Sequence, residues 1–335
     1  MADKLSAQCI RQRNDSPLRT QCRILHSKQT DLLSQLLPNT QVLRKLRSLS
    51  IGSMSQAALE EIFANCSQLE SLLLCDRTGS GVLYDIRSIG LCWMLKVLLL
   101  PVNVGTPLAI CSLVNLTHLT LQRQKLSQET DWMPTVLTII HAKRFNLQGL
   151  SFDGSWLIAP LNLSHLQLAQ CTALTDLRLS NCKLGEADSP PLPFSCQRIS
   201  FRRCSMGKPL GCIGTNPLLK KLELFDCRIL SEIPILSRIL NVRRHQPVDG
   251  PLLLTFSESI RLRSELTKWT HEDVSAHSKW LQVKELEPHQ ADTWHQPVGT
   301  VSMKFARSIN YLPNLKLPEE SIPNAADVVR KLDPL

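Results

Sequence analysis

A group of basic residues in the middle of the chain has the composition of a binding site. It contains four arginines, a lysine and a phenylalanine: Arg178, Arg198, Arg202, Arg203, Lys221 and Phe225. Arginine beside an aromatic ring is frequent among the residues that anchor protein interfaces, and guanidinium groups also bind carboxylates and phosphates. We expect this arginine cluster to bind an acidic peptide, a phosphorylated segment or a nucleic-acid backbone. The alternative is a solvated face that Asp176, Glu223 and Asp226 partly neutralise.

The sequence lacks the residue patterns on which catalysis usually depends. It contains no Gly-x-Ser-x-Gly elbow, no phosphate-binding P-loop and no His-Glu-x-x-His zinc motif. It also has no Cys-x-x-Cys pair, which removes the usual zinc and redox signatures. His271 and His277 are six residues apart, so they would not share one helix face. We therefore expect no enzymatic activity, no metal site and no cofactor.

Regularly spaced leucines predict the strands that would position the arginine cluster. Leu174 to Leu184 follows the pattern L-x-x-L-x-L-x-x-N/C-x-L, with Cys182 in the ninth place. Leu219 to Ile229 repeats this pattern, and Cys196 to Met206 repeats it more loosely. The first positions of eight such units fall at residues 46, 69, 95, 116, 147, 174, 196 and 219. This spacing predicts an α/β leucine-rich repeat solenoid, a curved array with parallel strands on its concave face and helices or extended returns on its convex face.

Alternation along each predicted strand decides which side chains face outward. The third, fifth, seventh and eighth positions of each unit should line the concave face, because strand side chains alternate between the two faces of a sheet. This places the arginine cluster on that face. It also predicts an apolar patch there, formed by Leu73, Val97, Leu99 and Val102. Such a patch either contacts a partner or is covered by the C-terminal tail of the chain.

The segment from Leu49 to Leu74 resembles the cysteine-containing leucine-rich repeats of F-box proteins. Cys66-Ser67-Gln68-Leu69 stands where that family usually has Cys-Pro-x-Leu before the next strand. The resemblance covers residues 46 to 230 and implies a substrate-receiving role in a ubiquitin ligase, with ligase components as partners. The helical F-box itself is not identified, since the nearest echo, Leu59 to Phe63, lies inside a repeat.

The repeat pattern divides the chain into three parts. Residues 1–42 form a basic N-terminal segment that we expect to cap the array, and residues 43–240 form the repeats. Residues 241–335 should hold a degenerate last repeat, a helical cap and a proline-containing tail. Helices are predicted at Gln56–Asn65, Val136–Ala142, Ser257–Trp269 and Glu272–Leu286. A strand is predicted at Leu252–Phe256 and a linker at Arg243–Pro247.

Composition limits the compartment and the kinds of partner. The chain has 335 residues, a formal net charge of +9 and twelve cysteines, and its first residues contain no apolar signal region. We expect reduced cysteines and a cytoplasmic or nuclear protein without a membrane span. The function that best fits these features is a protein–protein interaction scaffold with its site on the concave face. The alternative is a binder of nucleic acid or of an acidic or phosphorylated ligand through the arginine cluster.

Overall fold

Parallel strands follow one another at the repeat spacing in a computed structural model of the chain. The structure describes residues 8–9, 21–23, 40–51, 54–74, 84–101, 104–122, 133–154, 161, 166–184, 193, 195–206, 216–229, 234–245 and 250–286. These residues divide into two units, the first ending at Leu116 and the second beginning at Thr117. Val102, part of the predicted apolar patch, and the tail from residue 287 onward lie outside the described residues.

The first unit contains strands that are parallel except at its start. Its elements are β1 (Gln8–Cys9), β2 (Gln21–Arg23), α1 (Thr40–Lys45), β3 (Ser48–Ile51), α2 (Gln56–Asn65), β4 (Ser71–Leu74) and β5 (Val97–Pro101). β1 is antiparallel to β2, and β2 to β5 then pair in parallel and in chain order. Short 3-10 turns at Arg87–Leu91 and Pro107–Ser112 take the place of longer helices. Helix α2 starts at Ser55, whose hydroxyl accepts a hydrogen bond from the Ala58 amide.

The second unit repeats the arrangement over a longer stretch. Its first elements are β6 (His118–Gln122), α3 (Met133–Lys143), β7 (Gly149–Asp153), β8 (Asp176–Ser180), β9 (Lys183–Leu184), β10 (Arg198–Arg202) and β11 (Ser205–Met206). They are followed by β12 (Lys221–Phe225), β13 (Arg228–Ile229), α4 (Ile235–His245), β14 (Leu252–Ser257), α5 (Ile260–Leu266), α6 (His271–His277) and β15 (Leu281–Glu285). The main parallel sheet has the order β6-β7-β8-β10-β12-β14-β15, and β9, β11 and β13 form a separate small sheet.

Leucines of the repeat form the core beneath the main sheet. Leu177, Ile199 and Leu222 are in register on β8, β10 and β12, and all three side chains are 0% exposed. The strands are held in this register where they begin. The amides of Gln197 and Arg198 both donate to the Thr175 carbonyl, each at 2.9 Å, and the next strand is fixed to Gln197 in the same way. These three repeats of the second unit therefore present the same positions to the same face.

Cysteines in the ninth place connect successive repeats. The thiol of Cys204 donates to the carbonyl of Leu179 at 3.5 Å, and that of Cys227 donates to the carbonyl of Phe201 at 3.4 Å. Cys182 is also buried, and it packs against Gly154 of the preceding repeat. A buried thiol is small enough to fill this position and to donate an additional weak hydrogen bond to a strand carbonyl of the preceding repeat.

Replacing Gly154 with alanine should destabilise the second unit. A Cβ at this position would lie 2.4 Å from the Sγ of Cys182, so one of the two repeats must shift. We expect a loss of ~1–3 kcal/mol in the free energy of unfolding, as for other overpacked cores. The double variant Gly154→Ala/Cys182→Ala should recover part of it, because the clashing sulfur is gone. Strictly additive costs in this double-mutant cycle would show that the two residues do not press on each other.

The structure confirms the predicted α/β leucine-rich repeat fold and most of the predicted elements. Each predicted repeat has its strand, Gln56–Asn65 is helical as predicted, and α3 contains the predicted helix at Val136–Ala142. The strand predicted at Leu252–Phe256 is β14. The helix predicted at Glu272–Leu286 is wrong in its second half, because Leu281–Glu285 pairs with β14 as β15. The predicted linker is wrong over Arg243–His245, which is the last turn of α4, and its residues 246–247 lie outside the described residues.

Candidate functional site

Three neighbouring strands of the second unit bring the arginine cluster together. Across β8, β10 and β12, Asp176 is in register with Arg198 and Lys221, and Arg178 is in register with Ser200 and Glu223. The alternating residues between them point into the core. We call the surface formed by the outward side chains of β8, β10 and β12 the strand face. The spacing of adjacent strands, about 4.8 Å, makes these charged groups direct neighbours.

Glu223 is the centre of a charge network on the strand face. Its carboxylate accepts two hydrogen bonds from Arg198, one from Nε and one from a terminal nitrogen, both at 3.1 Å. The ammonium group of Lys221 lies 2.6 Å from the same carboxylate, and the hydroxyl of Ser200 donates to it. Burial on its own would raise the pKa of Glu223, but Arg198 and Lys221 outweigh it, so the pKa falls to about 2. Glu223 is therefore ionised at neutral pH and acts as an internal counter-ion.

Arg178 and Arg202 occupy the remaining part of the strand face. Both side chains are half-buried. Burial, and after it the charge of neighbouring Arg198, lower the pKa of Arg178, whereas Asp176 and Glu223 act in the opposite direction. The strand face carries four cations on β8, β10 and β12, namely Arg178, Arg198, Arg202 and Lys221. Against these stand two anions, Asp176 and Glu223, which leaves a net charge of +2 on these three strands.

Two members of the predicted cluster are not where the sequence analysis expected them. Arg203 lies just beyond β10 with a φ of 50°, and its exposed side chain pairs at 3.3 Å with Asp226, which is also exposed. The left-handed backbone turns the chain away from the strand, so Arg203 lies beyond the carboxyl-terminal end of β10. Phe225 is only 6% exposed and is part of the core. The expectation that it offers an accessible aromatic ring is therefore wrong.

The predicted apolar patch is only partly accessible. Leu73 and Val97 are half-buried on β4 and β5, whereas Leu99 is 1% exposed. The expectation that Leu99 is exposed is therefore wrong. Leu73 and Leu99 are directly paired in the register of the two strands. What remains for contact among the described members of the patch is the outer part of Leu73 and Val97.

Some residues with candidate roles were not singled out from the sequence. Ser200, with its side chain fully buried, completes the network around Glu223. Arg244 at the end of α4 lies over the ring of Trp280, in a region that the sequence analysis divided between a linker and a helix. The sequence does contain Trp269, Lys279 and Trp280 within twelve residues, and basic residues combined with aromatic ones occur on binding surfaces.

The described residues offer no metal site and no membrane-spanning helix. No group of three or more His, Cys, Asp or Glu side chains in this part of the chain could hold a metal ion. None of the helices described above is long and apolar enough to cross a membrane.

Comparisons with known proteins match this chain to solved structures but to no sequence family. No family model and no curated protein matches the sequence. An internalin from Listeria monocytogenes has a similar solved structure, with a TM-score of 0.40 and 14% identity over 80% of this chain and 93% of that chain. The leucine-rich repeat-containing protein LegL7 from Legionella pneumophila has a TM-score of 0.35 and 12% identity over 93% and 97% of the two chains. The leucine-rich repeat fold of the chain therefore rests on its own repeats and parallel strands.

Proposed function

We propose that the chain is a non-enzymatic scaffold that binds a protein partner on the strand face of the second unit. The observation that carries this proposal is the charge network on β8, β10 and β12, supported from below by fully buried leucines. A rigid sheet with ordered charged groups binds with little loss of conformational entropy. No residue set on this face has the geometry of a nucleophile with its base, so binding is the activity that it supports.

The charge of the strand face favours a partner with an acidic segment. Glu223 holds Arg198 and Lys221 in fixed positions, and the four cations exceed the two anions. Complementary charge steers association and selects the partner, whereas a basic segment would be repelled. Nucleic acid is the alternative ligand for this face, because guanidinium and ammonium groups also bind phosphates.

A role as substrate receptor in a ubiquitin ligase is a narrower form of the same proposal. It rests on the resemblance of Leu49 to Leu74 to the repeats of F-box proteins. Affinity purification of the full chain followed by mass spectrometry tests it. Recovery of a cullin and its adaptor would support the narrower role, and their absence from several independent purifications would remove it while leaving the scaffold proposal in place.

Neutralising two cations of the strand face should abolish partner capture. The variant Arg178→Gln/Arg202→Gln removes two charges without adding a buried anion, and we expect at least a tenfold loss of the captured partner by quantitative mass spectrometry. The control variant is Lys183→Gln/Arg228→Gln, because both residues are exposed on β9 and β13 and the net charge changes equally. Thermal unfolding of both variants checks that the fold persists.

Two results would contradict the proposal. One is an unchanged set of captured proteins with the strand-face variant. The other is an equal loss with the control variant, since that would indicate a general effect of charge. Capture that disappears on nuclease treatment and falls steeply with salt would instead favour the nucleic-acid alternative.

A further inference from the structure

A second surface of the second unit places two cations on one indole ring. The guanidinium carbon of Arg244, in the last turn of α4, lies 5.1 Å from the ring centre of Trp280. The ammonium nitrogen of Lys279 lies 4.0 Å from the same ring centre. The negative face of an aromatic ring holds a cation in place without neutralising its charge. The two groups are therefore oriented and remain able to bind an anion.

Neither of these two cations is paired with a described carboxylate. Within the described residues, Arg198 and Lys221 are paired with Glu223, and Arg263 is paired with Glu285. No described carboxylate lies within ion-pair distance of Arg244 or Lys279, and both side chains are exposed. An exposed pair of oriented cations without a counter-ion indicates a surface for an external anion.

Aromatic rings next to this pair extend the surface. Trp269 and His277 meet edge to face with their ring centres 5.0 Å apart, and the amide of Trp280 donates to the carbonyl of His277 at 2.9 Å. Both tryptophans are half-buried, so part of each ring is accessible. The nearby Asp273 lies in the first turn of α6, and its carboxylate accepts hydrogen bonds from the backbone and hydroxyl of Thr270. The negative charge of Asp273 is therefore directed at the N-terminus of α6.

The combination of rings and cations points to one class of ligand. An acidic peptide would use Arg244 and Lys279 but would leave the accessible parts of the rings unused. Single-stranded nucleic acid presents a phosphate and a flat base in every nucleotide, and proteins bind it with basic groups interleaved with aromatic rings. We propose that this indole surface, formed by Arg244, Trp269, His277, Lys279 and Trp280, binds single-stranded nucleic acid. Phosphates contact the two cations, and bases contact the accessible parts of the tryptophan rings.

Fluorescence anisotropy of a fluorescein-labelled oligothymidylate of about fifteen nucleotides, added to the full-length protein, tests the proposal. We expect binding that weakens linearly on a plot of log affinity against log salt concentration. The variant Arg244→Gln/Lys279→Gln should lose at least tenfold in affinity. The control variant Lys183→Gln/Arg228→Gln also replaces one exposed lysine and one exposed arginine, so it should lose less than about threefold. Trp280→Leu should weaken binding as well, with its thermal unfolding checked in parallel.

The contrary outcomes are equally definite. Equal weakening by the two double variants would show that only net charge matters, and no measurable binding at about 100 mM salt would remove the site. Competition by poly-glutamate as effective as that by unlabelled oligonucleotide would assign the surface to an acidic peptide. Binding to phosphatidylserine vesicles without binding to the oligonucleotide would assign it to a membrane. Partner capture by the strand face should be unaffected by Arg244→Gln/Lys279→Gln, so this proposal and the scaffold proposal fail separately.

Discussion

Replacing Leu222 with alanine will lower the free energy of unfolding by ~2–5 kcal/mol, the range measured for other buried leucines. Leu222 is 0% exposed in the middle of β12, with Ile199 beside it in register on β10. The lost stability has two parts. One is the hydrophobic free energy of the removed side-chain atoms, and the other is the cost of a cavity that the paired strands cannot close. Chemical denaturation followed by circular dichroism measures it, and Leu177→Ala on β8 should show a loss of the same size.

Leu218→Ala provides the matched control for this prediction. Leu218 lies four residues before Leu222 but is 44% exposed, so the same chemical change should cost much less there. A change near zero for Leu222→Ala, or equal changes at both positions, would mean that the inward face of the strands has been misassigned. The strand face would then be misassigned with it, because alternation fixes the two faces together.

Replacing Glu223 with glutamine will destabilise the second unit at neutral pH by ~2–3 kcal/mol. This carboxylate is 8% exposed and balances Arg198 and Lys221, and removing one partner of a buried ion pair leaves the other charges uncompensated. The lowered pKa of Glu223, about 2 instead of 4.5, gives a similar magnitude. The expected loss of ~2–3 kcal/mol allows for solvent screening at Arg198, whose side chain is 36% exposed.

The pH dependence of this effect has a definite sign. Because the pKa of Glu223 is lower in the folded protein, its stabilisation is present above about pH 4.5 and is lost as the pH falls toward about 2. The difference between wild type and Glu223→Gln should therefore shrink between pH 5 and pH 3. Asp226→Asn is the control, since the pair of Asp226 with Arg203 is exposed and should contribute little. A Glu223→Gln penalty that is constant with pH would contradict the charge network.

The strands were predictable because a single residue type marks them. Leucines at the first, fourth and sixth positions identify both the strand and its buried face, as at Leu174, Leu177 and Leu179. The second half of the helix predicted at Glu272–Leu286 failed because Leu281 and Val283 fit either periodicity over so short a segment. Pairing with β14, a contact distant in sequence, makes that segment a strand. Arg243 was assigned to a linker because a charged residue is usually exposed. In the structure Arg243 is only 1% exposed.

The candidate site was predictable in its position but not in its accessibility. Alternation correctly placed Arg178, Arg198, Arg202 and Lys221 on one face of the sheet. It could not show that Phe225 of this face, or Leu99 in the first unit, is buried, because burial depends on neighbouring side chains in three dimensions. It also did not predict the left-handed turn at Arg203. The ion pair of Glu223 with Arg198 depends on the register between β10 and β12, whereas Lys221 is two residues from Glu223 on the same strand.

Site-specific photo-crosslinking in living cells tests the central claim, that the strand face binds the partner, most directly. Benzoylphenylalanine would replace Ser180, which is paired with Arg202 in the register of the strand face, and in a second sample Ser205 of the small sheet. Both serines are half-buried, and neither replacement removes a charge. The account predicts a covalent adduct with the same protein partner from position 180 and none from position 205. An adduct from position 205 alone, or equal adducts from both, would contradict it.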